Sequence, residues 1–352
     1  MKNTLLILLL SFLSGALFSQ DREGAEKLVG EGIEFHDKGE FDKAVSKYNQ
    51  ALELDKNNLL ALAEKALTLL SQNKCEESIV CCEAAIENHS GDPLLNSVYV
   101  TYGNAYDGLK KTDESIGVYN DGIKLFPDYY QLYFNKGVSL IRMKNYEESL
   151  ECFQKAVQLN PNHASSHNGI ARIMNGESKK IPAILAYCRF LSLEPTSKRA
   201  QENLSFLKEL MKGSAEKTGK KSITITIDPG TMGDTTADGK NKANNFSTAE
   251  MLLSFESAMD FDKKYKKETE VEQFIRKFNT LCSILGESKK ENSGFFWDYY
   301  APYFIEMKEQ NLVETFGYIA FASSDNAEVS KWLKEHKEEI GKFLDWSKGY
   351  SW

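Results

Sequence analysis

The sequence predicts an all-α chain built from tandem helix pairs, and three observations carry that prediction. A 34-residue pattern of small and aromatic residues recurs from Ala25 to Ser197. Inside each copy the apolar residues keep helical spacing on both sides of a short polar turn. Prolines close three of the copies, at Pro127, Pro161 and Pro195, where a ring without an N–H cannot continue a helix. A period of this length in paired helices means a stacked array, because one pair cannot bury its apolar face alone.

The clearest copy is 130–163. Tyr133, Gly137 and Leu140 mark its first helix, Lys144-Asn145 the turn, and Ser149, Phe153 and Ala156 the second helix. The same register gives 25–58, with Leu28, Gly32 and Phe35, then Ala44, Tyr48 and Ala51. It gives 59–92, with Leu62, Ala66 and Leu69, then Ser78, Cys82 and Ala85. Three extra residues, 93–95, precede the copy at 96–129, which holds Tyr99, Gly103, Tyr106, Ser115, Tyr119 and Gly122. The fifth copy, 164–197, is degraded but keeps His167, Ala171, Met174, Ala183, Tyr187 and Phe190. A helix over 198–211 with Leu204, Leu207 and Leu210 on one face is expected to cap the stack, since a terminal unit needs a polar outer side.

This pattern resembles the tetratricopeptide repeat (TPR) family over residues 25–211. The resemblance implies a right-handed α-solenoid of five helix pairs plus a capping helix, with the first helices lining a concave groove that binds a protein or peptide partner. It also implies which residues face that groove. These are Val29 and Ile33 from the first pair, Leu67 and Leu70 from the second, and Val100 and Asn104 from the third. Phe134, Val138 and Ile141 follow from the fourth pair, and Asn168 and Arg172 from the fifth. Some of the family grip a terminal carboxylate with lysines and asparagines at such places. Here only Asn104 and Arg172 remain, so the expected occupant is an apolar or amphipathic segment.

Beyond the repeats, 212–245 breaks the helical period. Residues 222–228 alternate apolar and polar, a short half-buried strand with no partner strand in view, and a threonine-rich linker is an equal reading. The stretch 234–245 is like the start of a calcium loop, yet has Thr236 at position three and Asn245 where the final glutamate belongs, with no helix before it, so a linker is expected. A helical C-terminal domain of no recognised family is expected over 246–352. Its expected boundaries are a capping box at Ser247 and Glu250, a second at Thr269 and Glu272, a stop at Gly286, and a cap at Asp325 with Glu328. The last helix is expected to run unbroken through Trp332, His336 and Leu344. The aromatic run 295–304 is expected to be core.

The N-terminus reads as a secretory signal peptide over 1–19, with Lys2, an apolar run from Leu5 and a small residue, Ser19, before the cut. Export to a periplasmic or extracellular place follows, with no membrane span in the mature chain. The net charge of −8 and the absence of a basic stripe exclude a nucleic-acid footprint. Six cysteines without a CxxC spacing are expected as buried thiols, with a bridge from Cys75 or Cys81 as the alternative. His163 and His167 share a spacing used by metal pairs, but no third ligand lies near them, so neither metal nor cofactor is expected. No nucleophile motif or phosphate loop is present. The function expected is an exported, non-enzymatic interaction scaffold. The alternatives are a groove filled by the chain's own C-terminal region, or a catalytic or small-ligand module in 246–352.

Overall fold

Helix follows helix through both halves of the chain. The computed structural model describes residues 21–212, 215–219, 222–226 and 243–352. A first helix, α1, covers 21–37. Then come α2 (Phe41–Leu54), α3 (Leu59–Ser71), α4 (Cys75–Asn88), α5 (Leu95–Gly108), α6 (Thr112–Leu125), α7 (Tyr130–Arg142), α8 (Tyr146–Leu159), α9 (Ala164–Gly176), α10 (Lys180–Leu193) and α11 (Lys198–Lys212). These are the helix pairs and capping helix expected from the repeat register.

The turns inside the five pairs share one backbone device. Gly39, Asn73, Lys110, Lys144 and Ser178 all sit at positive φ, between 58° and 74°. The following N–H then reaches back to the helix, as from Lys74 to the Leu69 carbonyl at 2.9 Å and from Asn145 to that of Leu140 at 3.0 Å. This Schellman-type closure satisfies carbonyls that the helix end leaves free. A side chain in that conformation costs about 1–2 kcal/mol, yet four of the five turns carry one.

The chain divides into two compact units, the first ending at Cys152 and the second beginning at Phe153, inside α8. In the first unit α3 packs against α5 and α5 against α7, so the first helices form one row. The second helices pack behind them through rings that need glycine opposite. A Cβ on Gly32 would lie 2.4 Å from the Tyr48 ring, and one on Gly103 would lie 2.3 Å from Tyr119. Both tyrosines are fully buried. Ser78 and Ser149 occupy equivalent places and donate to the Ala66 and Gly137 carbonyls, each at 2.8 Å.

The second unit holds the fifth pair, the capping helix and everything described after it. A hairpin of β1 (Ala215–Lys217) and β2 (Ile223–Ile225) follows α11, antiparallel with Glu216 opposite Thr224. The expected lone strand therefore has a partner, which Ala-Glu-Lys did not betray because it lacks apolar alternation. Residues 227–242, including most of the calcium-like stretch, lie outside the described residues. Then come α12 (Ser247–Ala258), α13 (Glu270–Ser288), a wide turn over Phe296–Tyr300, α14 (Ala301–Glu309), α15 (Val313–Ala320), α16 (Ala327–Glu335) and α17 (Lys337–Gly349).

Several expected boundaries move. The capping box at Thr269 and Glu272 is present. Ser247 instead opens its helix with amide and hydroxyl both donating to Asn245 Oδ1, at 2.9 and 2.8 Å. Asn326, not Asp325, caps α16 by accepting from Glu328 N. Gly286 does not stop α13, which runs on to Ser288. The expected last helix is two helices that meet at His336, whose backbone is non-helical. In the wide turn, Ala301 N–H reaches the Phe296 carbonyl five residues back. Pro302 lies at the start of α14 and has no N–H to return to Asp298, so the helix widens where the normal ladder would lose a rung.

The expected division at 212–245 does not coincide with the boundary between units, and α10 supplies the physical reason. Every residue from Ile181 to Ser192 is buried. A helix that is apolar on all sides belongs inside a body rather than on its surface. α9 and α11 cover part of it, and α12, the wide turn and α15 cover the rest. The C-terminal region therefore closes around the fifth pair.

Candidate partner-binding site

The row of first helices in the first unit carries most of the groove residues expected from sequence, in unequal settings. Leu67 is 40% exposed and Leu70 is half-buried. Phe134, Val138 and Ile141 on α7 are half-buried. Ile33 and Val100 are half-buried and lean into the cores of their own pairs. Val29 departs from expectation: it is 1% exposed and belongs to a core cluster with Ala44, Tyr48 and Ala51. Its helix turns Val29 inward onto α2.

Polar positions in the row are largely committed. Tyr119 OH donates to Asn104 Oδ1 at 2.7 Å. Asp107 accepts from the Ser139 hydroxyl and pairs with Arg142 at 2.5 Å. The equivalent junction two pairs earlier in the register joins His36 Nδ1 and Thr68 Oγ1 at 2.7 Å. Asn168 and Arg172 belong to the second unit. There Arg172 is exposed, pairs with Glu202 at 3.3 Å and lies over the Phe206 ring, while Asn168 Oδ1 is buried without a hydrogen-bond partner among the described residues.

Two residues that sequence reading passed over complete the open face. Leu60 is 39% exposed and stands seven residues before Leu67 on α3. Glu64 lies between them, half-buried, with no hydrogen bond or ion pair to its carboxylate among the described residues. Burial pushes the Glu64 carboxyl above the usual range; His36 opposes that shift and Asp37 adds to it. The signal was there as an i, i+4, i+7 spacing. A cleft of about 680 Å³ opens beside Leu60, lined by Glu26, Asp55 and Asp92 against a single arginine, Arg22.

The two histidines at metal-pair spacing are each hydrogen-bonded within the chain. His167 is fully buried, bonded to Tyr300 OH at 2.6 Å and to the Pro161 carbonyl at 2.9 Å, while His163 Nδ1 meets Ser166 Oγ at 2.8 Å. Among the described residues no group of three or more His, Cys, Asp or Glu is arranged for a metal, and no helix is long and apolar enough to cross a membrane. All six cysteines are buried and unbridged. Burial pushes the Cys152 thiol up to about 11.

In the second unit the polar groups tie the body together. Arg276 meets Glu256, Asp260 at 2.6 Å and Glu268 at 2.9 Å, and lies 4.5 Å from the Tyr265 ring. Arg189 is fully buried. It donates to Ser347 at 2.7 Å, Tyr303 OH at 3.1 Å, Asn162 Oδ1 at 2.8 Å and the Pro161 carbonyl at 3.2 Å. The rings of Tyr303 and Trp352 lie 4.8 and 4.9 Å from its guanidinium. The expected aromatic core around 295–304 is also found, with Trp297, Tyr300, Tyr303 and Phe304 buried.

Comparison with known proteins identifies two of these helix pairs. Residues 97–129 and 130–163 each match the family described as Tetratricopeptide repeat. The chain carries tetratricopeptide repeats. Among relatives of these TPR segments, the Protein STIP1 homolog of Dictyostelium discoideum is 26% identical over 160 residues, 37% of this chain and 28% of its own length. Protein O-mannosyl-transferase TMTC1 of Homo sapiens is 28% identical over 193 residues, 53% of this chain and 21% of its own length. The chain thus spans about a quarter of these relatives. A solved Pseudomonas aeruginosa pilF structure aligns with 72% of this chain and 98% of its own at 17% identity and a TM-score of 0.49.

Proposed function

We propose that this TPR chain is an exported, non-enzymatic scaffold whose row of first helices takes an apolar or amphipathic segment of a protein partner. The observation that carries the reading is the face of α3, where Leu60 and Leu67 remain about two-fifths exposed on a helix otherwise built to pack. Exposed apolar residues grouped on one face mark interaction sites. A relative in Plasmodium falciparum, 28% identical over 167 residues, is named Hsp70-Hsp90 organising protein, and a role in organising other proteins supports the same reading. Another relative, TMTC1, is named a transferase; the part of this chain beyond the repeats fills its interior with aromatic rings and neutralises its gathered carboxylates on Arg276, which favours the scaffold.

The leader over 1–19 supports work outside the cytoplasm, in a periplasmic or extracellular space. Affinity capture with the full chain tests the docking reading. Partners held by the wild type should be lost with Leu67→Glu and kept with Val80→Glu, a change at a 63% exposed site on α4. Phe134→Ala should weaken capture by about 1–3 kcal/mol. Equal capture by all four proteins would refute the reading.

A further inference from the structure

We infer that the open face of α3 selects a basic occupant: an amphipathic helix with a lysine or arginine set between two apolar residues. This rests on the docking role proposed above and adds the charge of the partner. Leu60, Glu64 and Leu67 share one helix face, so the unpaired carboxylate sits between the two exposed leucines. A partly desolvated carboxylate is costly until something pairs with it, and the basic group acting on it, His36, already has its Nδ1 bonded to Thr68 Oγ1 at 2.7 Å.

A second observation stands apart from that carboxylate. The Tyr48 hydroxyl is fully buried. Thr68, Glu64 and Asp37 are the polar groups acting on it, Thr68 as its hydrogen-bonding neighbour, so this hydroxyl marks the polar inner edge of the same patch. Asp37 contributes a further carboxylate with no ion pair among the described residues, and the acid-lined cleft beside Leu60 continues the negative surface. An ammonium or guanidinium entering here would pair with Glu64, be drawn by Asp37, and bring flanking apolar groups over Leu60 and Leu67. An acidic segment would meet the carboxylates of Glu64 and Asp37, with Arg22 and His36 as the nearby basic groups, and this like charge disfavours it.

Two synthetic amphipathic helices of identical leucine pattern test this, one with lysine and one with glutamate at the central position of the apolar stripe. Fluorescence anisotropy with the full chain should show the lysine peptide binding at least about tenfold tighter, a preference that shrinks as salt rises. Glu64→Gln should abolish the preference and Glu64→Lys should reverse it, with helical content retained in both. Equal affinity for the two peptides, weakened alike by Leu67→Glu, would overturn the charge selection and leave docking intact. Binding of neither peptide would overturn both. A preference unchanged in Glu64→Gln and Glu64→Lys would remove Glu64 from the role.

Discussion

The second and fifth helix pairs share one register and put it to opposite uses. Cys82 and Tyr187 hold the same place in α4 and α10, and both are fully buried. The outward places differ. Glu76, Glu83 and Glu87 keep α4 wet on its outer side, and Val80 stays 63% exposed. At the corresponding places α10 has Ile181, Cys188 and Ser192, all buried, and Leu185 where α4 has Val80. The repeat positions thus make a helix pair, and the outward positions decide whether it remains an open surface or becomes the centre of a closed body.

The largest expected effect breaks the closed side of that comparison. Arg189→Ala strands buried partners from Pro161 to Ser347 and should cost about 3–5 kcal/mol. All four tryptophans lie beyond Phe153, so urea unfolding followed by tryptophan fluorescence reads the second unit alone. A loss below about 1 kcal/mol would mean that Arg189 does not organise it. Next comes the open side: Gly103→Ala drives a methyl into Tyr119 and should destabilise the first unit by about 1–3 kcal/mol, seen by far-UV circular dichroism with little change in tryptophan signal.

Two smaller effects sharpen the comparison. Lys144→Gly relieves a left-handed side chain and should stabilise by about 0.5–1 kcal/mol, read as a higher urea midpoint at unchanged slope. Glu64 bears on the open face directly. Its folded-state carboxyl titrates above its unfolded value, so the folded chain holds its proton longer. Stability then falls as pH rises from the ordinary glutamate range through the raised folded value, and stays lower above it. Glu64→Gln should remove that fall and raise stability at pH 7 by less than about 1 kcal/mol, since the carboxylate is partly solvated. A stability gain together with loss of the preference for the basic peptide is the signature of a residue kept for function.

Much of this architecture was legible because a 34-residue register fixes where each ring and small residue must fall. Gly32 under Tyr48 and Gly103 under Tyr119 are readable as pairs, as are the turns at Gly39 and Lys144. The closed body was half-legible: the apolar run from Ile181 to Leu191 states that α10 is buried, but family positions alone draw the eye to its inner face. Arg189 was not legible, since Tyr303 and Ser347 lie 114 and 158 residues away. Caps slipped by one residue because Asn326 and Asp325 are chemically near-equivalent and only backbone geometry separates them. Within the candidate site, the family positions single out Leu67 and Val138, both at least partly exposed. They could not reveal that Val29 turns inward, that Asn104 is taken by Tyr119, or that Glu64 lacks a partner.

The central claim is that docking uses the open row of first helices, while the body built on α10 stays closed. Hydrogen–deuterium exchange of the full chain with and without the lysine peptide tests it most directly. Added protection is expected in α3 and its neighbours in the row, α5 and α7, with no change in α9, α10 or the helices after them. Protection confined to α10–α17, or spread evenly over the chain, would contradict it.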